Sequence, residues 1–241
     1  MKSGSNKENR VIRKRFLTSV LLVLLAFVAI TVATVAWFSI ADKTRVKSMN
    51  LDIASDSDLR MDLNAHTQFE DYVKKISFEQ IAERIRSELG FDMATTPLEP
   101  VTTSDQNIFT YENGTVVPES KGSYLTFTLH FMAETDMLVH LNREDSESGA
   151  NDGTNISSGN AGLPEAMRIS FTADGQTWIY DQGTADTSYE LFSLKANTDK
   201  PVLIHIWMEG TDADCVNNAA ADDPAQYSVT VKLAGVAASG N

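Results

Sequence analysis

The sequence predicts a mainly β protein: a jelly-roll-like antiparallel β-sandwich with one short α-helix, preceded by an N-terminal hydrophobic signal or anchor helix. Three observations predict it. Residues 16–41 carry no charge and follow a basic start. Beyond residue 122, short stretches of alternating apolar and polar residues recur between turn residues, the period of half-buried strands. Only one stretch, 77–89, has helical spacing with both of its ends signalled.

The first fifteen residues carry Lys2, Lys7, Arg10, Arg13, Lys14 and Arg15 against the single acid Glu8. A positive start followed by an uncharged apolar run addresses the chain to the membrane. The run exceeds the ~7–15 residues of an ordinary signal segment and suffices for a ~30 Å hydrocarbon core, so it reads as a signal peptide or a retained signal anchor. The body lies outside in either case, because the basic flank stays inside. Small residues at Thr34 and Ala36, and again at Ser39 and Ala41, place peptidase cleavage after Ala36 or after Ala41. The expected organisation is therefore 1–36 as leader, extending to 41 if cleavage is later, and 42–241 as one extracellular β-domain.

The exported part starts with a strand: Met49, Leu51 and Ile53 alternate with Asn50 and Asp52. In the helix at 77–89, Ser77 and Gln80 form a capping box, Ile76 and Ile81 a hydrophobic staple, and Gly90 a stop, with Phe78, Ile81, Ala82, Ile85 and Leu89 as the apolar stripe. That stripe is expected against the outside or end of a sheet. Prolines at 97, 100 and 118 and the Asn113-Gly114 pair make 91–121 loop, with at most a hairpin around 108–117. Further strands are expected at 123–131, 137–141, 166–171, 177–180, 189–194, 202–208 and 227–233, with Asp174-Gly175 as a tight hairpin. Many short strands with one helix describe a sandwich or jelly roll. The acidic, Gly-, Ser- and Asn-rich stretch 143–165 reads as a long exposed loop.

Composition narrows the function classes. Six of the twenty basic residues but one of the thirty-three acidic ones precede Trp37, so the net charge of −13 becomes −18 from Trp37 onward. Such a surface repels nucleic acid and anionic lipid and favours cations or basic partners. One cysteine, Cys215, excludes an internal disulfide framework, so a packed core must supply stability.

Chemistry is sparse. Each histidine has a glutamate four residues later (His66 and Glu70, His130 and Glu134, His140 and Glu144, His205 and Glu209), but no HExxH stretch exists. Three of these pairs begin in predicted strands, where a four-residue step spans ~13 Å, too far to share a metal. A zinc site assembled from histidines on different strands is left open by the sequence. There is no GxSxG elbow, and Asp212 and Asp214 beside Cys215 oppose thiolate formation. Asp212, Asp214, Asp222 and Asp223, or Asp145, Glu147 and Asp152, offer oxygen ligands to calcium without EF-hand spacing, and read better as solvated acidic turns. No catalytic residue and no cofactor is expected.

The stretch "TVAWFSIADKTRVKSMNLDI" resembles the start of the mature region in the TasA/camelysin group of secreted Gram-positive proteins, through Ala36, Trp37, Phe38 and Asp42 and then Leu51, Asp52 and Ile53; "SIAD" delays the first acid. "VLIHIWMEGTDADCVNN" is similar to a segment of uncharacterised clostridial relatives of that group. The resemblance implies a jelly-roll protein, released by a signal peptidase and built with itself and other matrix proteins into extracellular fibres, in which the N-terminal strand completes a neighbour's sheet. Met49, Leu51 and Ile53 are then the assembly strand. The competing readings are a membrane-tethered binding module using the acidic loop, and a metal-dependent hydrolase of the camelysin kind.

Overall fold

The computed structural model describes residues 15–26, 45–54, 58–141, 153–158, 163–181, 189–215 and 226–238. Residues 15–26 form helix α1, whose large side chains, among them Phe16, Leu21, Val23 and Leu25, are exposed. Among the described residues no helix is long and apolar enough to cross a membrane. The rest of the predicted apolar run, with Ala36 and Ala41, lies outside them.

In chain order the remaining elements are β1 (Arg45–Ile53), β2 (Leu59–Asp62), β3 (Lys75–Ile76), α2 (Phe78–Leu89), β4 (Leu125–Ala133), β5 (Met137–Leu141), β6 (Asn155–Ser158), a helical turn α3 (Leu163–Ala166), β7 (Met167–Ala173), β8 (Gln176–Asp181), β9 (Tyr189–Leu194), β10 (Lys200–Met208) and β11 (Gln226–Ala237). They build two sheets. One runs β3-β1-β11-β5-β9, with β6 beside β5 on the same edge of β11; the other runs β2-β4-β10-β7-β8. Inward residues of both, such as Leu51, Val139 and Val231 from the first and Phe127, Ile169 and Ile204 from the second, share one apolar core. The rings of Phe131 on β4 and Phe192 on β9 meet across it with centroids 5.2 Å apart. The protein is thus mainly β and sandwich-like.

The helix forms where its signals stand. Ser77 Oγ accepts from the Gln80 amide, the Gln80 side chain accepts from the Ser77 amide, and Gly90 ends the helix in the left-handed conformation at φ 82°. Its buried Ile81, Ala82 and Ile85 lie against β4 and β1, one strand from each sheet, so the helix closes an end of the sandwich. At Asp174-Gly175 both residues have positive φ, 53° and 75°, the backbone of a two-residue hairpin between β7 and β8.

Three expectations need correction. Among the described residues every strand pair is antiparallel except β1 with β11, which is parallel from Arg45↔Gln226 to Ile53↔Leu233. A parallel pair requires no turn between its strands, so local turn signals could not announce it. The stretch 143–165 is not loop throughout: Asn155–Ser158 forms β6 against β11, because Ile156 supplies one buried apolar contact and the ladder hydrogen bonds are indifferent to the polar residues around it. Finally α2 is not the sole helical element after the N-terminal segment, since the single turn α3 and the 3-10 turns Phe69–Asp71 and Glu119–Lys121 are helical as well. In 91–121 the hairpin is reduced to isolated bridges, Thr102↔Thr110 and Thr110↔Val116, turning at Gly114 with φ 77°.

Candidate functional site: the seat of the first strand

The sequence-predicted assembly residues Met49, Leu51 and Ile53 are buried in the core, together with Val46 on the same strand. Apolar residues three apart, Val46 and Met49, cannot share a face in a regular strand. A bulge reconciles them: Val46 pairs with Tyr227 and Ser48 with Ser228, so Lys47 is an extra, exposed residue that returns Val46 to the inner face. Met49, Leu51 and Ile53 then stand beside Val229, Val231 and Leu233 of β11. Fully burying such side chains is worth about 1.5–3 kcal/mol each. On the outward face Ser48 Oγ donates to Ser228 Oγ at 2.9 Å, a contact between residues 180 apart in sequence. Asp52 faces Lys75 at 3.5 Å. The strand ends where the Ile53 amide donates to Lys74 O at 2.9 Å and the Ala54 amide to Leu233 O at 2.8 Å.

The two edges of β1 are unequal. β11 covers one along the whole strand, whereas β3 covers the other only at Leu51 and Asp52. Along Arg45–Asn50 that second edge has no strand partner among the described residues. The signal for the bulge, the broken alternation at Val46-Lys47-Ser48-Met49, is legible in the sequence once the partner strand is known.

The other candidates fare differently. Asp212 forms a close ion pair with Arg168, and its Oδ1 accepts from the Asp214 amide at 2.8 Å, so it organises the turn after β10. Asp222, Asp223, Asp145, Glu147 and Asp152 lie outside the described residues. Among the described residues no group of three or more His, Cys, Asp or Glu side chains is placed to hold a metal ion. Cys215 packs against the core; burial, then Asp212 and Glu209, push its thiol up to about 12.

Aspartates, not the glutamates four residues on, meet two of the histidines. His66 Nε2 lies 3.3 Å from Asp62, and His130 Nδ1 lies 2.9 Å from Asp199. The Tyr72 hydroxyl links the two groups, donating to Asp199 at 2.7 Å and accepting from the His66 amide at 2.9 Å. Burial and then that hydrogen bond push its phenol up to about 12. This network ties the β2–β3 connection to the start of β10. His205 is buried on the outer face of the second sheet and belongs to no such network.

Compared with protein-family models, with curated proteins and with solved structures, the chain matches none.

Proposed function

We propose that this chain is an exported structural subunit of the cell surface or extracellular matrix, of the TasA/camelysin kind, that assembles with copies of itself by exchange of β1. In this reading the sandwich is a jelly roll, and the apolar run 16–41 is a signal peptide or anchor that holds the chain in the membrane until a signal peptidase releases it. Other matrix proteins join the assembly through the same seat.

One observation carries the proposal. β1 is a buried strand that reaches its partner β11 without any turn joining the two, and it connects to the next strand only through the short link between Ala54 and Asp58. Such a strand is a separable piece of the sheet, and the same contacts form whether it is supplied by its own chain or by a neighbour. The edge along Arg45–Asn50, which pairs with no strand among the described residues, suits an added strand as well. The exposed apolar surface of α1 favours membrane engagement of the leader, and so keeps a tethered binding module as the second reading.

The test is to determine the N-terminal sequence of the protein made by its own cells, with its fractionation, and to image the released form by electron microscopy. The proposal predicts a start at Trp37 or Asp42 and fibres. An uncleaved, membrane-bound protein that stays monomeric at all concentrations contradicts it in favour of the tethered module.

A further inference from the structure

On the outer face of the second sheet lies a satellite cluster, separate from the main core: Val101, Phe109, Val117, Tyr124 and Trp207. Val101, Phe109 and Val117 come from the segment between α2 and β4, which folds over β10 as a clasp. It is fastened at one end to the continuation of β10, where the Val101 amide donates to Met208 O at 3.0 Å and the Gly210 amide to Val101 O at 2.9 Å. It closes on itself through the Thr102 and Thr110 amides, each donating to the other's carbonyl at 2.9 Å, and the Val117 amide donating to Phe109 O at 2.8 Å. At the other end Tyr111 and Ser123 hydroxyls both donate to Glu99.

Beneath the clasp sits His205, 4% exposed. Phe109 lies over it at 5.2 Å and Tyr124 at 6.0 Å, both nearly edge-on. Its cross-strand neighbours are Thr126 on β4 and Ser170 on β7. His205 Nδ1 and Ser170 Oγ are both buried, and neither has a hydrogen-bond partner among the described residues. Among the described residues no carboxylate faces the ring. Of the acids in this region, Glu99 accepts from Tyr111 and Ser123, and Glu209 accepts from the Trp207 indole at 3.0 Å and from Thr211. Glu119 acts on the Tyr124 phenol, which among the described residues is the one titratable group in ring contact with His205 and which burial holds up at about 12 and hence neutral. The basic groups nearby are engaged as well, Arg168 with Asp212 and Lys121 with Glu99.

We propose that the segment Val101–Val117 is an acid-released clasp: protonation of His205 lifts it from the second sheet and uncovers Tyr124, Trp207 and the outer face of β10. A charged imidazolium in this place is cut off from bulk solvent and meets no anion among the described residues, whereas an opened clasp exposes it to solvent. Burial accordingly pushes the folded-state pKa down to about 4, against about 6.5 for an exposed ring. The open form binds the proton more tightly, so the closed form is favoured above about pH 6.5. It loses that advantage as the pH falls towards the folded value, by about tenfold in the open-to-closed ratio per pH unit. Of the four histidines, His66 and His130 have aspartate partners and so are not placed to act in this way.

Hydrogen exchange of the full-length chain, read by mass spectrometry and corrected for intrinsic rates, tests the proposal. From about pH 6.5 to about pH 4.5 the protection of the 102–117 peptide should fall by about tenfold per unit, while that of β4 stays constant. His205→Gln, polar and without charge, should hold the clasp protection level over the same range. Equal slopes in the two proteins, an unchanged clasp in the wild type, or loss of protection in β4 together with the clasp each overturn the proposal. Should His205→Gln not fold, the wild-type His205 ring followed by NMR decides: it should titrate below about pH 5.5 in step with the Trp207 indole. A ring titrating near its ordinary value with Trp207 unmoved overturns it.

Discussion

At Leu51 the seat of the first strand is most demanding, because the side chain is buried on the core face between Val231 of β11 and Ile76 of β3. Leu51→Ala should cost about 2–5 kcal/mol in chemical denaturation, and Leu51→Asp more, since it adds an unpaired buried charge. Both should therefore weaken the isolated subunit as well as any assembly; a Leu51→Asp protein with unchanged denaturation midpoint would show that β1 does not occupy this seat in the monomer. Cys215 gives a second check at this scale. Its thiol, held up by burial and by Asp212 and Glu209, should react with a thiol reagent at pH 8 only after denaturant is added. Rapid labelling of the folded protein would contradict the packing. The sequence favoured a packed, unreactive cysteine at a strand end, and Cys215 does pack against the core; which residues it meets there was not legible, because "EGTDADCVN" carries no signal of how the turn folds back.

Among the elements, those whose cause is local were the ones readable from sequence. Strands β5 and β9 fall at the predicted bounds, and the helix has both its capping box and its glycine stop. The short strands β2, β3 and β6 were missed, since four residues or fewer hold a ladder only where a longer strand already offers an edge. The bulge at Lys47 belongs here too. Lys47 is the extra residue, so its deletion joins Val46 directly to Ser48 in register with Tyr227 and Ser228. Deletion should change monomer stability by no more than about 1 kcal/mol, and it should also flatten the exposed edge and hasten association, because bulges and edge lysines oppose edge-to-edge pairing. Light scattering of the deletion and the wild type side by side checks this; slower association of the deletion contradicts the assignment of Lys47 as an edge guard.

Over the whole molecule, acidity and strand exchange act together. With a charge of −18 from Trp37 onward, subunits repel at neutral pH, and the repulsion is screened over ~10 Å at ~0.1 M salt. Association should accordingly quicken with added salt, divalent cations or acid; association fastest at low salt and pH 8 contradicts the electrostatic reading. What the sequence could not supply at this scale was the partner of β1. The apolar alternation identifies a strand, but a parallel neighbour some 180 residues away leaves no local trace. The most direct measurement uses that neighbour. Ser48→Cys and Ser228→Cys, introduced with Cys215→Ala, place two thiols where the native hydroxyls lie 2.9 Å apart. Oxidised as a monomer, the protein should close an internal disulfide and cease to assemble. Assembled first in reductant and then oxidised, it should run on a denaturing, non-reducing gel as a ladder of covalently linked subunits. Fibres that yield only internally bridged single subunits, or an oxidised monomer that assembles as fast as the reduced one, would contradict exchange of the first strand.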